Sequence, residues 1–299
     1  MMKDILYKVA YSPAVNYCLR NLLFPFSKLL KKPLISVSGK LNVKYDGNVE
    51  FMLLTNQTCS VTQKVFYKGA KNYEFSQFFE RIIQKTDVFF DIGANIGYFT
   101  VLGAKINPNV KIYAFEPSKG PLHYLQQNVK INGFENRVEV TGKAVAEIDG
   151  ELTFHSVVSQ KYPWVLHNLS GSHSLQNNFG SAKLNAYKVP VVSLNKFVSD
   201  KGIIKIDLIK MDTECTEHQI VESAVPLINA MRPIIICEVH DFIKNEMNEV
   251  LAKLEDYSLF ELSHNKLYAM NSIVDKMKHD DAFDYIFCPK EKVDFLLSV

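Results

Sequence analysis

From residue 74 onward the chain alternates between two hydrophobic rhythms. Short runs rich in Val, Ile and Phe cover 87–91, 111–115, 138–142, 206–212, 234–239, 258–263 and 284–288, and predict seven strands. Between them, apolar residues recur every three or four positions over 74–84, 97–106, 120–132, 216–229 and 242–256. That spacing predicts helices, the fourth weakened in its second half by Pro226. Strands alternating with helices argue for an α/β fold with a mostly parallel sheet covered on both faces. Two stretches break the rhythm. Residues 34–68 alternate weakly around the turn Tyr45-Asp46-Gly47-Asn48, which predicts small antiparallel strands. Ile148-Asp149-Gly150-Glu151 is a second hairpin signal, and strand-like 189–192 and a helical turn at 194–198 return the chain to the main pattern. The polar stretch 156–186 holds the only tryptophan, Trp164, and a loop of that length is usually functional. The expected layout is an N-terminal helical segment and β lid over 1–69, then one domain over 70–299 with 156–186 as an acceptor loop.

The first strand, Val88 to Phe90, ends in Asp91 and runs through Gly93-Ala94-Asn95-Ile96-Gly97 into a helix. A strand feeding a helix through a glycine turn holds nucleotide-like ligands beyond the strand end. The dinucleotide version reads G-x-G-x-x-G, the second glycine making room for pyrophosphate. Here Asn95 and Tyr98 replace the second and third glycines, and the strand ends in an acid that would repel phosphate. An adenosyl sulfonium, S-adenosylmethionine, fits the turn better than a nicotinamide dinucleotide. Gly93, Asn95 and Gly97 would shape the donor turn, and Asp91 would face the ligand's ammonium and sulfonium charge. Glu116 ends the next strand, where an acid can accept both ribose hydroxyls. Ala144, after the third strand, would lie by the adenine.

Composition adds exclusions. Among 299 residues the net charge of +2 gives no electrostatic case for nucleic acid. The five cysteines are scattered without a C-x-x-C pair, so neither a zinc site nor a disulfide framework is expected, and a cytoplasmic setting is the default. Residues 1–35 differ from the rest. Six basic residues stand against the single acid Asp4, a net +5, interleaved with Ile5, Leu6, Val9, Leu22, Phe26 and Leu29. Pro13, Pro25 and the lysines interrupt any run long enough to span a bilayer, and no signal-peptide cleavage pattern follows. This segment is expected either to pack on the domain or to rest on an anionic membrane.

The remaining chemistry sits where the fourth and fifth strands end, at Lys210-Met211-Asp212-Thr213-Glu214 and Glu238-Val239-His240. In open α/β sheets this edge faces the ligand. Methyl transfer to a hydroxyl needs in-line geometry and removal of the hydroxyl proton. His240 is the natural base, with Asp212 orienting it or taking the proton itself; a divalent cation on Asp212 and Glu238 is the alternative. No metal is assigned on so few ligands. Tyr162, Trp164 and the stretch Ser170-Gly171-Ser172-His173-Ser174-Leu175 could fold over a hydroxyl-rich acceptor.

Taken together, Phe90 to Thr100, Ala114-Phe-Glu-Pro117, Asn128, Asn132-Gly133, Asp149 to Phe154, Ser172 to Leu175, Ile209 to Glu214, Glu217 and Pro233 to His240 resemble the FkbM-type S-adenosylmethionine-dependent methyltransferases. The resemblance implies a Rossmann-like class I methyltransferase with a seven-stranded, mostly parallel sheet and helices on both faces. It also implies O-methylation of a sugar, glycan or small natural product. A catalytically inactive donor-binding partner and a nicotinamide enzyme are the alternatives. Two positions depart from the family pattern: Cys215 stands where glycine is common, and Leu194-Asn195 where Leu-Asp is common.

Overall fold

The computed structural model describes residues 2–157, 159, 161–169, 173–174, 184–275 and 283–298. Two helices come first, α1 (Met2–Ala10) and α2 (Pro13–Leu29), with Pro13 in the first turn, where a missing N–H is harmless. An antiparallel hairpin follows, β1 (Gly39–Lys44) and β2 (Glu50–Thr55). Its turn is the one read from sequence: Asp46 accepts from the Asn48 and Val49 N–H groups, both at 3.0 Å. Helices α3 (Ser60–Lys68) and α4 (Ser76–Ile83) lead to the main sheet.

That sheet begins with β3 (Val88–Ile92), α5 (Tyr98–Ile106), β4 (Lys111–Phe115), α6 (Lys119–Ile131) and β5 (Val138–Thr141). A side sheet is then inserted: β6 (Ala144–Val145), β7 (Gly150–Val157), β8 (His173–Ser174) and β9 (Leu184–Val192), in the order β6-β9-β7-β8. The β7–β9 ladder runs from Gly150↔Val191 to Val157↔Leu184, so pairing reaches into both ends of the stretch read as loop. The alternation resumes with α7 (Leu194–Lys201), β10 (Leu208–Met211), α8 (Glu217–Ser223), α9 (Val225–Met231), β11 (Ile234–Glu238) and α10 (Lys244–Leu251). Strands β12 (Tyr257–Ser263), β13 (Lys266–Met270) and β14 (Asp284–Pro289) and helix α11 (Val293–Ser298) complete it.

The main sheet has the order β13-β12-β14-β11-β10-β3-β4-β5. Pairing from β11 through β5 is parallel; β14 inserts antiparallel between β11 and β12. The seven expected strands are all present, and an eighth, β13, extends the edge. It pairs with β12 through a two-residue turn, His264-Asn265, both at positive φ, the geometry that suits a tight hairpin. Five-residue β13 is half-exposed along its length and holds none of the Val, Ile or Phe that marked the other strands. The helix expected over 216–229 divides at Ala224, because Pro226 has no N–H to continue the ladder.

Two apolar layers sandwich the sheet. Phe89 faces a core with Phe79, Val101 and Leu102, and Phe90 faces the other with Phe197, Ile209 and Ile235; both phenylalanines are fully buried. Consecutive residues on opposite faces are what a strand's two-residue period dictates. Burying each such ring contributes about 1.5–3 kcal/mol. The β1–β2 hairpin is clipped onto α6 by two asparagines. Asn128 accepts from the Leu54 N–H at 2.6 Å and Asn132 from the Met52 N–H at 2.9 Å.

Candidate active site

Glycines set the geometry at the end of β3. Gly93, Asn95 and Gly97 all have positive φ (+77, +52 and +84), so the chain reverses within five residues. The Gly93 and Ala94 N–H groups donate to the Phe115 carbonyl at 3.0 and 2.9 Å, tying the turn to the end of β4. A Cβ on Gly93 would stand 1.8 Å from the Asp212 carbonyl oxygen. Absence of that atom lets the turn pack directly on the end of β10.

Glu116, just past β4, is buried. Its Oε2 accepts from the Asn95 N–H at 2.9 Å and its Oε1 from the Ser118 N–H at 2.8 Å. Burial pushes its carboxyl up to about 7, against the opposing pull of those two N–H groups. Each oxygen keeps a lone pair, and the residue lines a cleft, open at its mouth, with Gly93, Asn95, Pro117, Ala144 and Phe154. A ribose supplies two adjacent hydroxyl donors, which matches those two acceptors. The residues therefore fit an adenosyl donor, with Glu116 to hold its ribose and the apolar wall of Pro117, Ala144 and Phe154 to cover its base.

Asp91 has a different place from the one its position in sequence suggests. Fully buried, it lies beneath the turn rather than on the cleft wall; Oδ2 accepts from the Thr100 hydroxyl at 2.5 Å. Its Oδ1 has no hydrogen-bond partner and faces the Lys210 ammonium at 3.8 Å. Lys210, on β10, was named in the strand-end cluster but was assigned no role from sequence. It is buried, 3.3 Å from Asp212 Oδ2, 3.4 Å from the Gly93 carbonyl and 5.8 Å from the Phe99 ring centre. Burial alone would lower its pKa, but Asp212, Asp91 and Glu74 outweigh that and hold it above the ordinary lysine value. A lysine within an apolar strand is the signal that could have found it, since a buried ammonium requires anionic partners.

Asp212 follows β10 and borders the cleft. Burial opposes its charge, but Lys210 and a hydrogen bond from Glu238 keep its carboxyl below the usual aspartate value. Glu238, at the end of β11, is driven the other way, by burial first and by Asp212 next. The pair thus divides its charge: Glu238 carries the proton and Asp212 is ionised. His240 stands beyond them, its Nε2 3.8 Å from Glu238 Oε1, with its ring against Phe242 and Phe283. It does not border the cleft, whereas Asp212 and Glu238 do. Glu74, which precedes α4, also borders it and was not singled out from sequence; no motif surrounds it, and only folding brings the N-terminal segment to this edge. Glu214 borders the cleft as well, with its carboxyl raised to about 7 by burial and then by Asp212. Among the described residues no three His, Cys, Asp or Glu side chains form a group that could hold a metal.

Of the acceptor loop, Ser170 to Ser172 and Leu175 lie outside the described residues. Tyr162 and Trp164 turn to α1: Tyr162 packs edge-on to Tyr7 and Tyr11 at 5.7 and 5.4 Å, and Trp164 stacks on Tyr7 at 6.3 Å. Cys215, the departure from the family pattern, has φ +87, a conformation that favours the glycine common there.

A domain model described as "Methyltransferase FkbM domain" matches residues 91–266. The 31-O-demethyl-FK506 methyltransferase FkbM of Streptomyces tacrolimicus is 27% identical over 189 residues, covering 57% of this chain and 72% of that protein. AMB antimetabolite synthetase AmbE of Pseudomonas aeruginosa is 25% identical over 179 residues, covering 52% of this chain and 8% of that protein. The crystal structure of methyltransferase FkbM from Methylobacillus flagellatus superposes with a TM-score of 0.45 at 15% identity, covering 76% of this chain and 52% of that one.

Proposed function

The chain belongs to the FkbM methyltransferase family and uses S-adenosylmethionine, and on that premise we propose that it methylates a hydroxyl oxygen of a sugar, glycan or small natural product. Family membership leaves no place for the nicotinamide reading. The carrying observation is that two strand-end carboxyls, Asp212 and Glu238, border the same cleft as Glu116.

The donor, when bound, supplies an activated methyl group, so the chain's own work is positioning and proton handling. Glu116 would hold the ribose and the turn at Gly93 the amino-acid end. Asp212, ionised and bordering the cleft, would take the proton of the acceptor hydroxyl, the methyl passing from sulfur to that oxygen with S-adenosylhomocysteine as the leaving group. Glu238, protonated, donates a hydrogen bond to Asp212 and fixes its orientation. Lys210 balances the charge of Asp91 and Asp212 from below. His240 stands one carboxyl removed and can pass the proton outward through Glu238. The name of the Streptomyces relative, a methyltransferase of 31-O-demethyl-FK506, supports oxygen as the methylated atom.

The test is turnover. Protein incubated with S-adenosylmethionine and a panel of sugars and small hydroxyl compounds should release S-adenosylhomocysteine and yield a methyl ether, located by NMR. A methyl found on nitrogen or carbon overturns the oxygen assignment. Tight donor binding with no turnover on any acceptor favours the inactive, donor-binding partner.

A further inference from the structure

Helix α2 turns its polar side inward. The residues it buries are Asn16, Arg20 and Ser27. Arg20 donates to the Ser38 and Lys40 carbonyls at 2.7 and 2.6 Å, while Asn16 donates to the Ser36 carbonyl at 3.0 Å and accepts from the Ser38 N–H at 2.8 Å. Hydrogen bonds to the strand leading into β1 therefore anchor the helix. Its apolar seam, Val15, Leu22, Phe26 and Leu29, faces out at helical spacing, with Leu22 and Leu29 67% and 79% exposed. Helix α1 continues the pattern with exposed Ile5, Leu6 and Val9. A helix on a water-facing surface shows the opposite arrangement.

We propose that α1 and α2 form an interfacial anchor that seats this protein on an anionic bilayer. Exposed Lys3, Lys8, Lys28, Lys31 and Lys32 flank the seam, and Asp4 is the only acid in residues 1–35. An occupant of this face must bring both apolar surface and negative charge. A second copy would bring the same excess of +5 and be repelled. An anionic membrane supplies acyl chains to the leucines and phosphates to the lysines. No described helix is long and apolar enough to cross a membrane, so the pair lies in the plane of the interface. Through Tyr7 and Tyr11, α1 also holds the Tyr162–Trp164 segment, which borders a hollow beside the start of α6. The anchor thus carries part of the acceptor-side loop with it.

Vesicle flotation of the full chain tests this. With phosphatidylcholine vesicles containing phosphatidylglycerol, the floating fraction should exceed that on phosphatidylcholine alone by roughly tenfold, and should fall as salt is raised. A Leu22→Glu, Phe26→Glu, Leu29→Glu variant should lose flotation while keeping the wild-type melting curve and donor affinity. All three side chains are solvent-exposed, so the fold does not depend on them. Failure of the wild-type chain to float with acidic vesicles overturns the proposal, as does flotation indifferent to lipid charge. A wild-type dimer in light scattering that the triple variant abolishes would assign the face to a second copy and equally overturn it. Neither result touches the methyl-transfer reading, which is tested on soluble acceptors.

Discussion

On one wall of the cleft, Gly93, Asn95 and Glu116 come from two consecutive strand–turn–helix units; on the other, Glu74, Asp212 and Glu238 come from three separated parts of the chain, with Lys210 buried beside Asp212. The first wall is held by backbone: N–H groups of the turn bond to Phe115 and Glu116, and the dihedrals are those glycine permits. The second is held by charge: a buried ammonium and a shared proton keep several carboxyls together. Backbone geometry is encoded over a few residues, whereas charge balance depends on whatever folding brings near. The donor wall should therefore break through shape, and the acceptor wall through ionisation.

The largest effect is expected at Gly93. Gly93→Ala places a Cβ against a backbone carbonyl that cannot rotate away, at a φ of +77. Stability should fall by about 3 kcal/mol or more in urea unfolding, with donor binding lost. Gly97→Ala meets only the flexible end of Leu125 and should cost less. Equal costs would show that the turn is not pinned by Asp212.

Asp212→Asn should break the other wall without moving the first. Turnover should drop by about two orders of magnitude or more, the usual contribution of a general base, while donor affinity in calorimetry falls far less. A parallel loss of both would make Asp212 a donor-binding group instead.

Glu116 links shape to ionisation and should be sensitive to pH. Its folded pKa of about 7 lies above the ordinary 4.5, so burial favours the protonated form. Its contribution to the stability of the donor-free protein is fully present below 4.5 and is lost as pH rises toward 7, on the order of 3 kcal/mol. Donor affinity should move oppositely, rising through pH 7 as the carboxylate becomes available to the ribose hydroxyls. Glu116→Gln should remove one carboxyl's share of the stability slope, Glu238 keeping its own, and weaken donor binding by about tenfold or more. Glu214, raised to about 7 as well, keeps a residual slope. A wild-type melting temperature independent of pH between 5 and 7, an interval of roughly two units in which linkage must show, would contradict the buried, proton-retaining Glu116.

The smallest effect is expected at Cys215. Cys215→Gly relieves a left-handed dihedral but removes a buried side chain, two terms of about 1 kcal/mol that oppose each other. Stability should change by less than about 1 kcal/mol, with methyl transfer retained. A large loss of turnover would give the thiol a role beyond packing.

Much of this was legible before folding. The seven main strands follow from short apolar runs, and the donor turn from glycines beside a strand-end acid, because both patterns are local. Asp91 was recognised but misplaced: its position at the strand end says nothing about whether the side chain points into the cleft or under the turn. Lys210 was named in the strand-end cluster but given no role, because its partners Asp91 and Glu74 are far away in the chain. The β7–β9 ladder extends into the polar stretch through backbone hydrogen bonds, which carry no hydrophobic signature.

By itself the sequence determined the α/β alternation, the glycine turn, the place of Glu116 just past β4 and the family, since each rests on residues adjacent in the chain or at strand ends in a fixed order. Tertiary structure decided which carboxyl keeps its proton, that Glu74 reaches the cleft edge while Lys210 is buried between Asp91 and Asp212, and that α2 buries its polar face and leaves its leucines outside. Those outcomes depend on desolvation and on distances between remote segments, and neither quantity exists until the chain has folded.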